Sequence, residues 1–179
     1  MTWDAFHHRG DVLRAVDAEA NARRDGTLPM DLPGVAETFG DESALVTALQ
    51  LRWHTRLAGR IERTLMDGPD DLETAVVTAW RGAAADMAGV RQILDAQRAT
   101  PATPELGVAL EKARIKEAVL LAAMAGKASA SDAAAVRVGE RIEEKARAAY
   151  DPTRAPRHLR HEGDRPTGLL GRLKAHLAA

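Results

Sequence analysis

The stretch from Asp41 to Asp71, DESALVTALQLRWHTRLAGRIERTLMDGPDD, decides how this chain is to be read. Asp41 is a good helix N-cap, and behind it Trp53, Leu57, Ile61 and Leu65 recur at the spacing of one helical face, with Arg52, Arg56 and Arg63 on the other side. The pattern predicts a helix through Met66. Asp67, Gly68 and Pro69 then break it, and Asp70 or Asp71 caps a second helix running to about Met87. So short a connection makes the two helices antiparallel neighbours.

Upstream, Thr2 or Asp4 caps a helix that ends near Arg24, where Asp25 and Gly26 stop it. From Thr27 to Gly40, Pro29 and Pro33 alternate with apolar residues, which predicts an irregular strap lying on apolar surface with one helical turn. Downstream, Gly89 allows a bend into a brief helix from Val90 to Ala99. Thr103 caps and Pro104 opens a longer helix ending at Gly126, and Ser129 or Ser131 caps a last one that runs to Tyr150 before Pro152. The expected fold is all-α. Its core is a four-helix bundle made of two antiparallel hairpins, Glu42 to Met87 and Pro104 to Tyr150, with the N-terminal helix alongside and a short C-terminal amphipathic helix beyond.

Composition agrees with that class. The 179 residues are 45% hydrophobic and 28% charged with a net charge of -1, which suits a globular chain rather than a disordered polyelectrolyte or a globally basic nucleic-acid binder. There is no cysteine, so disulfides, thiolate catalysis and Cys-ligated metals are excluded. The most apolar window, Ala118 to Ala125, is far shorter than the roughly 20 residues a membrane-spanning helix needs, and no secretory leader pattern follows Met1; the expected location is cytoplasmic. Alanine occurs 36 times and Arg outnumbers Lys by 20 to 5, a bias toward GC-rich codons that points to a bacterial source.

Charge divides the chain. Residues 1–151 carry a net charge of -5, whereas residues 152–179 hold 6 Lys+Arg against 2 Asp+Glu, a net charge of +4. Residues 1–151 therefore read as one helical domain and 152–166 as a Pro/Arg-rich basic linker with Arg154, Arg157, Arg160 and Arg165. Residues 167–179 read as a short basic amphipathic helix. There Leu169, Leu170, Leu173 and Leu177 share a helical face flanked by Arg172 and Lys174. Such a segment docks on its own bundle, enters a partner's groove, or touches an anionic surface such as nucleic acid or membrane.

Two features of the predicted helix faces stand out. The helix opened by Pro104 carries two apolar stripes: Leu106, Leu110, Ala113, Leu120, Leu121 and Met124 on one side, Val108, Ile115, Val119 and Ala122 on the other. That pattern predicts a central helix or one covered by a second subunit. Glu117 projects into the first stripe, where an unpaired carboxylate costs several kcal/mol. On the Asp41-capped helix, Gln50 and His54 interrupt the apolar face one turn apart. The specific expectation is that Glu117 meets His54, with Gln50 beside it; the alternative is that Glu117 reaches an arginine while His54 is half exposed. Trp53 and Trp80 read as core residues. On the last helix, Gly139 among alanines predicts close helix approach, and pairs such as Glu143 with Arg147 read as part of a solvated charged face.

The inventory for catalysis is thin. Ser43, Ser129 and Ser131 all stand at or beside helix starts, where capping accounts for them. Glu-x-x-His, the signature of di-metal carboxylate bundles, does not occur, and neither does a glycine-rich phosphate loop. Asp4 with His7, single and near a terminus, and His158 with His161 and Glu162, in a Pro-rich basic linker, are weak metal signals. No cofactor, metal or catalytic residue is assigned. The leading expectation is a non-enzymatic protein-interaction or regulatory module, its partner engaged through the basic C-terminal segment or the bundle surface. The alternatives are a bundle binding a small ligand or metal near Gln50, His54 and Glu117, and an accessory nucleic-acid binder acting through the tail. A homo-oligomer is compatible with each.

Overall fold

The computed structural model describes residues 3–150, with side chains from His8 onward. It contains seven helices and no strand among those residues: α1 Trp3–Arg23, α2 Val35–Phe39, α3 Glu42–Met66, α4 Leu72–Asp86, α5 Ala88–Ala99, α6 Pro104–Met124 and α7 Ala133–Ala148. The fold is all-α.

The helix starts follow local chemistry. Asp41 accepts a hydrogen bond from the Ala44 amide, Asp71 from Glu73 and Thr103 from Leu106, each satisfying an amide that the first turn leaves without an intrahelical acceptor. Pro104 follows its cap at the position where a missing N–H costs nothing. Between α3 and α4, Gly68 takes a positive φ of 65°, a conformation disfavoured for residues with a Cβ. For α7 the cap is Asp132, which accepts from the Ala135 amide, and not Ser129 or Ser131. The carboxylate sits one residue closer to the start and takes the amide the serines were expected to serve.

α3 packs on α4, and α6 on α7, as adjacent helices. The larger difference from the expected arrangement is α5. Far from a brief connector, it packs against α1, α3, α4 and α6 and buries Val90, Arg91, Ile93 and Leu94. α1 reaches the rest of the molecule chiefly through α5. Gly89 makes that crossing possible, since a Cβ there would stand 1.8 Å from the carbonyl oxygen of Ala20. Its amide donates to Asn21 Oδ1 at 2.9 Å, tying the two helices at the point of contact. The strap before α3 buries Val35 and Phe39, as its apolar content predicts.

α6 is not central. Its first stripe is buried through Leu106, Leu110 and Leu121, but Val108 is 55% and Ile115 38% exposed. The second stripe is divided: Ala122, near the end of the helix, is buried, Val119 is half-buried, and Val108 and Ile115 meet solvent. Close approach at Gly139 is present: a Cβ there would lie 1.8 Å from the Ala118 carbonyl oxygen.

These contacts give one kind of substitution opposite effects. Gly139→Ala drives a methyl into a backbone carbonyl, so it should destabilise by at least about 1–3 kcal/mol. Gly59→Ala, inside α3 with nothing within 4 Å of the new Cβ, should stabilise by about 0.5–1 kcal/mol. Urea unfolding midpoints of the two variants should move in opposite directions from that of the parent.

Candidate functional site

The interior of the molecule is organised around Glu117, which has no solvent exposure. Its Oε2 accepts from the indole Nε1 of Trp53 at 3.0 Å and from Arg98 Nη2 at 3.2 Å. Its Oε1 accepts from Trp80 Nε1 at 3.2 Å, with Arg91 Nη1 4.0 Å away. The two indoles stand edge to face, ring centroids 5.8 Å apart, so both N–H groups point at one carboxylate.

Position on each helix explains the convergence. Arg91, Asp95 and Arg98 lie at i, i+4 and i+7 and share one face of α5. The Arg91 guanidinium sits 4.8 Å over the Trp53 ring and donates to Asp95 at 2.7 Å. From α7, Arg147 donates to both Asp95 oxygens at 2.9 and 3.0 Å and to Glu143 at 2.8 Å, with its guanidinium 5.0 Å over the Trp80 ring. Tyr150 closes the array: its ring is edge-on to Trp80 at 6.0 Å, and its hydroxyl donates to the Ala84 carbonyl at 3.0 Å.

The cations Arg91, Arg98 and Arg147 are thereby matched by Asp95, Glu117 and Glu143. Burial by itself would raise the Asp95 pKa, yet hydrogen bonds from Arg147 and the charge of Arg91 hold it below the ordinary carboxylate value. Burial pulls the Arg91 guanidinium down from its usual value, with Arg98 adding repulsion and Asp95 and Glu117 opposing it. Both Glu117 oxygens are engaged, by Trp53, Trp80 and Arg98, and the arrangement neutralises charge and fixes packing.

The expected meeting of Glu117 with His54 does not occur. His54 is half-buried and makes no hydrogen bond among the described residues; its neighbour Trp53 supplies the donor instead. A step of one residue along α3 turns the side chain by about 100°, which is enough to aim Trp53, and not His54, at α6. Gln50 is buried and touches the network only through Arg98, whose Nη2 lies 3.5 Å from Gln50 Oε1. The alternative, an arginine partner for Glu117 with His54 half exposed, describes the geometry. Sequence reasoning passed over Arg91, Asp95 and Arg98; the available signal was an arginine standing between Val90 and Leu94 on an apolar stripe. The Glu143–Arg147 pair is present, but Glu143 is buried against Arg98 and does not belong to a solvated face.

A second feature lies on the surface. An open groove of about 1210 Å³ runs along α3, between α1 and the start of α6. Leu13, Ala44, Ala48, Leu51, Leu106 and Ala109 supply apolar lining, and Leu51 is 67% exposed in the middle of it. Arg52 pairs with Asp17 at 2.9 Å and Arg56 with Asp86 at 2.7 Å, joining α3 to α1 and to the end of α4 along the edges. Asp41 and Glu105, at the end formed by the starts of α3 and α6, are exposed and enter no ion pair among the described residues. No group of three or more His, Asp or Glu side chains converges among the described residues. The tail residues singled out from sequence, Arg154, Arg157, Arg160, Arg165, Leu169, Leu170, Arg172, Leu173, Lys174 and Leu177, lie outside the described residues. No protein-family model, no curated protein and no solved structure matches this chain.

The interior network generates two predictions. Glu117→Leu leaves two indole N–H groups and Arg91 and Arg98 without their acceptor, and should destabilise by about 3–5 kcal/mol. His54→Ala should change stability by less than about 0.5 kcal/mol. The double variant should equal their sum in chemical unfolding, whereas rescue of Glu117→Leu by the His54 change would contradict the assigned contacts. Asp95 has a folded pKa below its unfolded value of about 3.8, so its contribution to stability is present above that value and is lost as pH falls through the folded one. Asp95→Asn should therefore lower stability at neutral pH and flatten its decline below about pH 4, read from urea midpoints across an acid series.

Proposed function

We propose that this protein is a non-enzymatic protein-interaction module of regulatory type, with the groove along α3 as the docking surface for an amphipathic segment of a partner protein. The observation that supports the reading is Leu51, exposed in mid-helix in a groove whose lining mixes apolar residues with charged and hydroxyl side chains. The groove's volume of about 1210 Å³ exceeds the roughly 300–1,000 Å³ usual for small-molecule sites, and its lining mixes Ala44, Ala48 and Leu51 with Thr47, Arg52 and Thr55 along the length of α3 rather than gathering polar groups at one convergent point. An amphipathic helix laid in a groove fits that shape.

The interior favours the same reading over a ligand-binding bundle. Both oxygens of Glu117 are occupied by Trp53, Trp80 and Arg98, and His54 stands apart from them. No helix of the described residues is long and apolar enough to cross a membrane.

A photo-cross-linking side chain at Thr47, in the groove, and in a second variant at Thr78, exposed on α4, tests the reading in cells. Thr47 should yield an adduct with another protein that maps to an amphipathic segment of it. That adduct should vanish in Leu51→Asp while the melting temperature stays near the parent's. Identical adducts from both positions, or an adduct that survives Leu51→Asp, would overturn the proposal.

A further inference from the structure

We infer that this chain associates with a second copy of itself head to tail, the acidic tip around Met66 and Leu72 of one copy seating on the basic stripe of Val108 and Ile115 of the next.

Five large apolar side chains are exposed among the described residues. Leu51 lies in the groove, and the other four form two patches at different places on the molecule. Met66, 85% exposed, ends α3, and Leu72, 42% exposed, opens α4 on the other side of the Asp67–Gly68–Pro69 break. Val108 and Ile115 lie two turns apart on one face of α6, and half-buried Val119 continues their stripe.

Tip and stripe carry opposite charge. From Glu62 to Glu73 the acids are Glu62, Asp67, Asp70, Asp71 and Glu73, and the cation is Arg63. Lys127 and Lys145 reach Glu73 at 3.7 and 2.9 Å, and Asp71 is occupied with the first turn of α4. Glu62, Asp67 and Asp70 are exposed and enter no ion pair among the described residues. Five acids at the tip thus outnumber three cations. On the stripe, Lys112 stands between Val108 and Ile115, with Lys116 one turn beyond it; both are exposed and enter no ion pair among the described residues. Glu105 opposes them at the start of α6, while Glu111, on the other edge, is held by Arg114, which also reaches Glu140. Seating the tip on the stripe covers Val108 and Ile115 with Met66 and Leu72 and brings Asp67 and Asp70 to Lys112 and Lys116, so charge fixes the orientation of the apolar contact.

The tip does not reach the stripe of its own chain. Leu72 lies beside Gly126, where an added Cβ would stand 3.2 Å from Leu72 Cδ1. Ile115 is three turns back along α6, about 16 Å away at 1.5 Å per residue. A single molecule therefore carries both halves of a complementary pair that only two molecules bring together. Each copy in the contact keeps one tip and one stripe free, so the contact is heterologous and adds further copies unless the rotation closes a ring. Two large apolar side chains on each face make it small beside the roughly 1,200–2,000 Å² of a stable interface. The assembly is accordingly weak, forms at high protein concentration and is screened by salt.

Sedimentation velocity of the full chain over a concentration series tests the contact. At low ionic strength the weight-average sedimentation coefficient should rise with concentration, and high salt should return it to the monomer value. Met66→Ser, which changes no charge, should lower the association. Lys112→Glu with Lys116→Glu, and separately Asp67→Lys with Asp70→Lys, should each leave a monomer whose melting temperature stays near the parent's. An equimolar mixture of these two double variants should associate again, because the acidic stripe of one meets the basic tip of the other and their unaltered faces also match. A parent that stays monomeric at every concentration overturns the inference, as does association that survives either double variant or a mixture that stays monomeric. Leu51→Asp should leave the association unchanged; its loss there places the second copy in the groove along α3 and overturns the tip-to-stripe contact. Cross-linking from Thr47 reads the groove alone, so the docking surface and the self-association stand or fall separately.

Discussion

A carboxylate with no solvent exposure constrains everything packed around it. Glu117 must be neutralised and hydrogen-bonded where it stands, and the groups that do so come from α3, α4 and α5, with α7 completing the charge balance through Arg147 and Glu143. Burying an ion pair gains little over burying hydrocarbons of the same shape, but removing one partner is strongly destabilising. The consequence is register. Any slip of α3 or α4 that takes Trp53 or Trp80 out of reach leaves a bare carboxylate, so alternative packings are penalised far more than a purely apolar core would penalise them.

The two glycine crossings serve the same end. Gly89 lets α5 press against α1, and Gly139 lets α7 press against α6, in each case with backbone where a methyl would not fit. α5 is thereby held deep enough for Arg91 to be almost wholly buried over Trp53, and α7 close enough for Arg147 to bridge Asp95 and Glu143. Interior and surface thus divide the work. The polar network is consumed in holding helices together, while the groove along α3 keeps Leu51 accessible, with Arg52 and Arg56 paired to Asp17 and Asp86.

Much of the fold was legible locally. Asp41, Asp71, Thr103 and the Asp67–Gly68–Pro69 break act within a few residues, through hydrogen bonds and backbone conformations that neighbouring residues determine. Trp53 and Trp80 were readable as core, and Glu117 as a buried charge in need of a partner. The partner was not readable as His54. Spacing along α3 gives the face to within about one residue, and at 100° per residue that margin separates an indole donor aimed at α6 from an imidazole beside it. α5 was underrated for a related reason: a short helix with arginine among its apolar residues scores as a connector unless the carboxylate opposite is known.

From sequence alone came the all-α class, nearly every helix boundary, the absence of cysteine, the buried acid on α6 and the charge contrast between residues 1–151 and the basic segment beyond. These depend on contacts between near neighbours or on composition. Tertiary structure alone decided that two tryptophans and two arginines meet at Glu117, that α5 packs one face into the core, that Val108 and Ile115 of α6 face solvent, and that α1, α3 and α6 leave a groove between them. Each of those depends on how helices distant in sequence rotate and approach one another, and side-chain volume at the crossings, set by Gly89 and Gly139, determines that approach.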